Sequence, residues 1–251
     1  LLSIFAYANN KALATQYDPR QPTSSRTRYP TSGKIRENTN HLSNLSQKNI
    51  SSDEVMNEAV KQLEYHATNK NGYEPYGQNP TDSISYYVKK FDDQTDILKI
   101  NLNIYSSNQY NEIINRLWNP SCTNIFNKGD AKLFKVYSPN LILIRQFCET
   151  DSKYYQKYFY ALVKKAQISK DKTIIAMTSV NTFDGNPSSR EHKNPIVKIA
   201  DSFSGSVYPE DYILSKEYRK IYVNLSGYLI EKKGDDLEIT YIESIEGHSS
   251  I

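Results

Sequence analysis

Asn224-Leu225-Ser226-Gly227-Tyr228-Leu229-Ile230-Glu231, then Lys233-Gly234-Asp235-Asp236, then Leu237-Glu238-Ile239-Thr240-Tyr241-Ile242-Glu243-Ser244-Ile245 read as strand, turn, strand. Both flanks are rich in β-branched and aromatic residues, and the Gly-Asp-Asp between them supplies turn chemistry, so the segment predicts an antiparallel hairpin. The first strand is read over Lys220–Glu231 and the second over Leu237–Ile245. Working back toward the N-terminus, four more strands follow the same logic: Leu133–Ser138, Leu141–Phe147, Tyr158–Ile168 and Thr173–Val180. Ser138-Pro139-Asn140 and Lys170-Asp171-Lys172 are the short turns between them. Consecutive hairpins make an antiparallel meander, interrupted by two longer polar connections, Asn181 to Asn194 and Ala200 to about Ser215.

Upstream, Leu98, Ile100, Leu102 and Ile104 alternate with Lys99, Asn101 and Asn103, and Ile84, Tyr86 and Val88 alternate before them. That is a hairpin with one buried face. Ser107 is placed to cap a helix carrying Tyr110, Ile113, Ile114, Leu117 and Trp118, which Asn119-Pro120 ends. The first folded element starts at Ser51, which with Glu54 forms a capping box, followed by Val55, Met56, Ala59, Val60 and Leu63 at helical spacing. Helix, strands, helix, then a long run of strands is an α+β layout. Its curved sheet must cover an apolar face with helix or ligand.

Outside residues 51–251 the character changes. Residues 15–50 are rich in Ser, Thr, Asn, Arg and Pro without an apolar period and read as a disordered basic linker. Residues 1–14, with Leu1-Leu2-Ser3-Ile4-Phe5-Ala6-Tyr7 leading into Ala12-Leu13-Ala14, read as the tail of a signal peptide, implying secretion. The polar linker explains a mean hydropathy of −0.68 with 38% hydrophobic residues. A net charge of +3 argues against a nucleic-acid binder, so any attraction to lipid surfaces is local. Twenty-one tyrosines against one tryptophan favour rings that pack while reaching a polar group.

Catalytic signatures are missing: no Gly-x-Ser-x-Gly elbow, no phosphate-cradling glycine loop and no His-Glu-x-x-His. His41, His66, His192 and His248 lack metal-ligand spacing, and Asp235 and Asp236 are turn residues. Cys122 and Cys148 would form a disulfide in a secretory compartment only if the fold brings them together.

The element order resembles the START (StAR-related lipid-transfer) helix-grip fold. The hairpin quoted first, with Gly247 at its final turn, and Met177-Thr178-Ser179-Val180 are similar to that family's late strands. Tyr158-Phe159-Tyr160-Ala161-Leu162, Asp171-Lys172-Thr173-Ile174-Ile175, Tyr241-Ile242-Glu243-Ser244-Ile245 and Asn9-Asn10-Lys11-Ala12-Leu13-Ala14-Thr15 are similar to the fam-a proteins of rodent malaria parasites. The resemblance implies a curved antiparallel sheet around a hydrophobic cavity and an N-terminal helix. It also implies a C-terminal lid helix that these residues do not contain. The protein would then be a monomeric, non-enzymatic carrier that binds and transfers phospholipid, phosphatidylcholine above all. It would need no cofactor, touch membranes transiently, and be secreted toward the host erythrocyte or parasitophorous vacuole.

The cavity lining it implies is Leu143, Arg145, Phe159, Ala161, Val163 and Tyr241. Arg145 shares a strand face with Leu141, Leu143 and Phe147, where a guanidinium needs an anion, and a lipid phosphate suits it. An ion pair with Glu149 or Glu243 would serve equally. Phe126-Asn127 stands where many START domains have Trp-Asp, removing a carboxylate for a cationic headgroup. Two alternatives remain: an ordinary filled sheet core, and a host-interaction surface protein that uses the scaffold without lipid transfer.

Overall fold

The computed structural model describes residues 50–76, 83–105, 107–122, 130–148, 155–207, 211–215 and 217–246. They belong to one unit, Asn49–Ile251. The readings for the leader, the linker before Ile50, His41, Phe126, Asn127, Gly247 and His248 lie outside the described residues.

Helix α1 (Ser52–Thr68) opens as its sequence requires: Ser51 Oγ accepts the Glu54 backbone N–H at 3.2 Å, and the Glu54 carboxylate accepts the Ser51 N–H at 2.8 Å. A two-residue strand β1 (Glu74–Pro75) leads into the hairpin β2 (Ile84–Lys90) and β3 (Asp96–Ile104). Ser107 does not cap the next helix. It begins a 3-10 turn over Ser107–Gln109, and α2 (Tyr110–Trp118) follows without a side-chain cap. The meander is β4 (Ala131–Ser138), β5 (Leu141–Phe147), β6 (Gln156–Ser169) and β7 (Lys172–Thr178). Next come the short strands β8 (Asn181–Phe183), β9 (Ser204–Ser206) and β10 (Tyr218–Lys220), and last β11 (Val223–Lys233) and β12 (Asp236–Ile245).

Among the described residues the main sheet runs β1-β2-β3-β12-β11-β7-β6-β5-β4, with β10 added parallel to the start of β6. All other pairings in it are antiparallel. The late hairpin therefore closes against β3, joining the N-terminal hairpin to the meander. Gly234 at φ +63 makes the β11–β12 turn.

Helix α1 packs on β7, β11, β6 and β12, burying Val55, Met56, Ala59 and Leu63 completely. Beneath it lie Leu162, Ile174, Ala176, Leu225 and Leu229. Gly227 is where helix and sheet approach most closely. Its φ is +143, and a Cβ there would fall 2.0 Å from the Ile175 carbonyl oxygen and 2.8 Å from Leu63 Cδ1. Only glycine fits.

Lys99 departs from the alternation that put it toward water. Its amine is buried, donating to the His66 and Asn69 carbonyls at 3.2 and 2.6 Å and lying 3.9 Å from the Tyr73 ring centre. It thus neutralises the negative end of α1. Burial, with Lys70 and Lys89 nearby, pulls its pKa down to about 8.

Candidate functional site: the sheet face beneath the second helix

Adjacent residues locate the two faces of the sheet. On β6, Lys164 donates to Asp53 of α1 at 2.7 Å, while Lys165 lies 5.3 Å from the Trp118 ring centre of α2. On β7, Lys172 pairs with Glu64 of α1 at 2.9 Å, while Thr173 shares a 2.9 Å hydrogen bond with Tyr110 of α2. Because side chains alternate, the helices sit on opposite faces.

The α2 face carries Ile142, Ile144, Phe159, Val163, Ile175 and Met177 in the meander, and Leu98, Ile100 and Leu102 on β3. It is covered less completely than the other. Phe159 and Ala161 at its centre are fully buried, but Ile142, Val163, Met177 and Leu98 each keep 7–9% of their surface exposed, against 0% for Leu162, Ile174 and Leu225 beneath α1. Helix α2 buries only Tyr110 and Ile114. Under its C-terminal turn lies a slot of about 60 Å³ lined by Leu117, Trp118, Ala131, Ile142, Val163 and Tyr241, among others. That holds about two waters at ~30 Å³ each, so an acyl chain enters only if α2 lifts.

The same face has one polar centre. Ser226 Oγ donates to the Tyr241 hydroxyl at 3.3 Å, and Tyr241 donates to the Glu243 carboxylate at 2.5 Å. Tyr228 pairs with Tyr241 across the hairpin, their rings 5.0 Å apart. Burial first, then the Glu243 charge, holds both phenols far above their ordinary pKa, so they stay protonated hydrogen-bond donors. An anionic group placed here would meet the Glu243 carboxylate; a hydroxyl or cationic group would be accepted.

Four of the six expected lining residues lie on this face. Val163 and Tyr241 line the slot, and Phe159 and Ala161 stand beside them in register with Gln146 and Ile144. Leu143 and Arg145 do not. Antiparallel pairing sets Leu143 opposite Leu162 and Arg145 opposite Tyr160, which turns both toward α1, and Leu143 belongs to that core. Arg145 is 3% exposed, and its guanidinium lies 4.8 Å from the Phe147 ring centre, on the far side of the sheet from the slot. Two continuous apolar strands can be read from sequence; which face of one matches which face of the other is set by register. Ile142, Ile144 and Gln146 were missed for this reason. Ser226, Tyr228 and Glu243 were missed because a hydroxyl-rich strand looks the same whichever way it faces.

A larger groove of about 940 Å³ opens between the β2–β3 turn and residues 190–195. Its walls are charged on both sides, by Asp92 and Asp96 and by Arg190 and Lys193, so it suits acyl chains less well. His192 borders it, stacked on Tyr222 with ring centres 4.5 Å apart and bonded to Asn224 at 3.0 Å. Burial lowers its pKa. Cys122 and Cys148 are both free thiols, and burial raises Cys148 to about 11. No group of three or more His, Cys, Asp or Glu able to hold a metal occurs among the described residues.

A scan of protein-family models and a search of curated proteins give no match to this sequence. Solved structures do match in shape. Human StAR-related lipid transfer protein 5 superposes with a TM-score of 0.55 at 11% identity, over 80% of this chain and 84% of its own. Human STARD10 gives 0.53 at 11% identity, over 80% of this chain and 70% of its own. The fold is of the START type. At this identity the likeness is one of backbone architecture: the START-type sheet is kept while the side chains that face into it are this chain's own.

Proposed function

We propose that this protein is a lipid carrier rather than an enzyme, with the apolar part of its cargo lying against the sheet face beneath α2. The observation that carries the reading is the asymmetry of the sheet. One face is filled by a capped, deeply packed helix. The other presents an equally apolar surface under a short helix held by two buried side chains. An apolar face so lightly covered suits a ligand that replaces the helix as its cover. Human StAR-related lipid transfer protein 5 is by name a lipid-transfer protein, which supports the same reading.

The finer reading is a phospholipid, phosphatidylcholine first, carried as cargo by a monomer of the fam-a type that is secreted, exported and in transient contact with membranes. It rests on the sequence resemblances and the leader-like residues 1–14. The Tyr228, Tyr241 and Glu243 centre supports it, since a carboxylate beside phenol rings accepts a choline head better than an acidic one. The test is solvent extraction of purified protein followed by mass spectrometry. About one phospholipid per chain, choline-headed, is expected. Protein that arrives empty and takes up no lipid from detergent micelles would leave the scaffold as a surface for host contact.

A further inference from the structure

The two ends of the main sheet are treated differently. At one end β1 is two residues long and carries Pro75, which removes a donor and blunts the edge. At the other, β4 is eight residues long and open to water. Its Leu133 and Val136 are 47% and 58% exposed, and Tyr137 is exposed beside them. In register, Leu133 stands opposite Ile144 and Val136 opposite Ile142. Both therefore belong to the α2 face, and they continue the wall of the slot out to the rim of the sheet. Ala131 of the same strand lines the slot itself, as does Trp118.

Lysines flank this apolar rim. Lys132 and Lys135 are exposed on the other side of the strand, and Lys165, stacked on Trp118, stands at the slot side. Lys135 lies 4.7 Å from the Tyr137 ring centre. Among the described residues, Asp130 is an exposed acid next to the strand. The ladder is broken twice, between Leu133 and Lys135 and between Val136 and Ser138. Such bulges spoil an edge for the addition of another strand, which argues against a protein partner pairing with β4. An apolar strip, an amphipathic phenol and lysines with long flexible stems match a bilayer interface that carries anionic lipid.

We propose that β4 is the edge by which this protein docks on anionic membranes, with Leu133 and Val136 entering the interface and Lys132 and Lys135 meeting the headgroups. Cargo would then pass between β4 and the C-terminal turn of α2. This inference rests on the lipid-carrier reading for its purpose, though not for its geometry.

The test uses the full chain and sedimentation with vesicles of phosphatidylcholine, with and without phosphatidylserine. The wild type is expected to bind only the serine-containing vesicles, and to release as salt rises. Leu133→Asp with Val136→Asp, and separately Lys132→Glu with Lys135→Glu, should each weaken that binding about tenfold or more. All four sites are exposed, so melting should hardly change. In the Lys132→Glu with Lys135→Glu variant, whose sites lie on the side of β4 away from the slot, uptake of a fluorescent phospholipid from detergent micelles should stay at the wild-type level, because it bypasses docking. Vesicle binding unchanged in both variants overturns the proposal. So does a wild type that ignores vesicles, or one that forms a dimer which these substitutions dissolve. Docking that depends on β4 in a protein that takes up no lipid from micelles would overturn the carrier reading and leave the docking edge standing.

Discussion

The two faces of one sheet are built from the same kinds of residue, yet they end in different states. Beneath α1, seventeen residues of capped helix press Val55, Met56, Ala59 and Leu63 onto the strands, and the side chains there retain almost no exposed surface. Beneath α2, nine residues anchor through Tyr110 and Ile114, and a slot remains at the Trp118 end. Alternation of apolar residues made both faces hydrophobic; the length and anchorage of the covering helix decided which became a core. A core is therefore a matter of what covers a face as much as of what the face contains.

The largest effect is expected where helix and sheet touch. Gly227→Val places a Cβ against the Ile175 carbonyl and Leu63 in a backbone conformation that valine avoids. We expect a loss of at least about 4 kcal/mol, read by urea unfolding, or no folded protein at all. A stable variant would mean that α1 is not seated as described. Next, Leu63→Ala should cost about 2–5 kcal/mol, as for a fully buried leucine.

The third effect depends on pH. His66 is buried on α1, its Nδ1 3.0 Å from the Tyr73 hydroxyl. Burial, then the charges of Lys89 and Lys99, hold its pKa down at about 4. The folded state thus resists a proton that the unfolded chain accepts near its ordinary 6.5. The contribution is full above that pH and is lost as pH falls from 6.5 toward 4. Discounting for solvent reaching the ring, we expect about 2 kcal/mol of acid sensitivity, which His66→Gln should largely remove. Parallel stability–pH curves for the two proteins in that window would contradict the assignment.

The smallest stability effect should come from the second face. Ile114→Ala loosens α2 at a cost toward the low end of the roughly 2–5 kcal/mol typical of a buried isoleucine, since its helix is short, and should speed uptake of labelled lipid from micelles. If it costs as much as Leu63→Ala and slows uptake, the two faces are equivalent and α2 caps an ordinary core.

Much of the architecture could be read locally. Ser51 and Glu54 announced the start of α1, Gly234-Asp235-Asp236 the last turn, and strand patterning the long strands β2 to β7, β11 and β12 within a few residues, while the two- and three-residue strands β1, β8, β9 and β10 were not legible. These are short-range devices: a cap needs a residue three positions away, and a pleat needs its neighbours. Lys99 shows where such reading ends. Alternation assigned it to water, but the C-terminal carbonyls of α1, thirty and more residues away, give it a buried place.

Arg145 and Leu143 show the same limit at the site. What the sequence determined by itself was that β5 and β6 are strands with apolar residues on both faces, Leu141 to Ile144 and Tyr158 to Val163. Only the pairing of Leu143 with Leu162 and of Ile144 with Ala161 decided which phase meets α1 and which meets the slot. Register is a contact between residues far apart in the chain, chosen by the whole sheet at once. A one-residue change in it inverts every side chain, so no single strand could carry the answer.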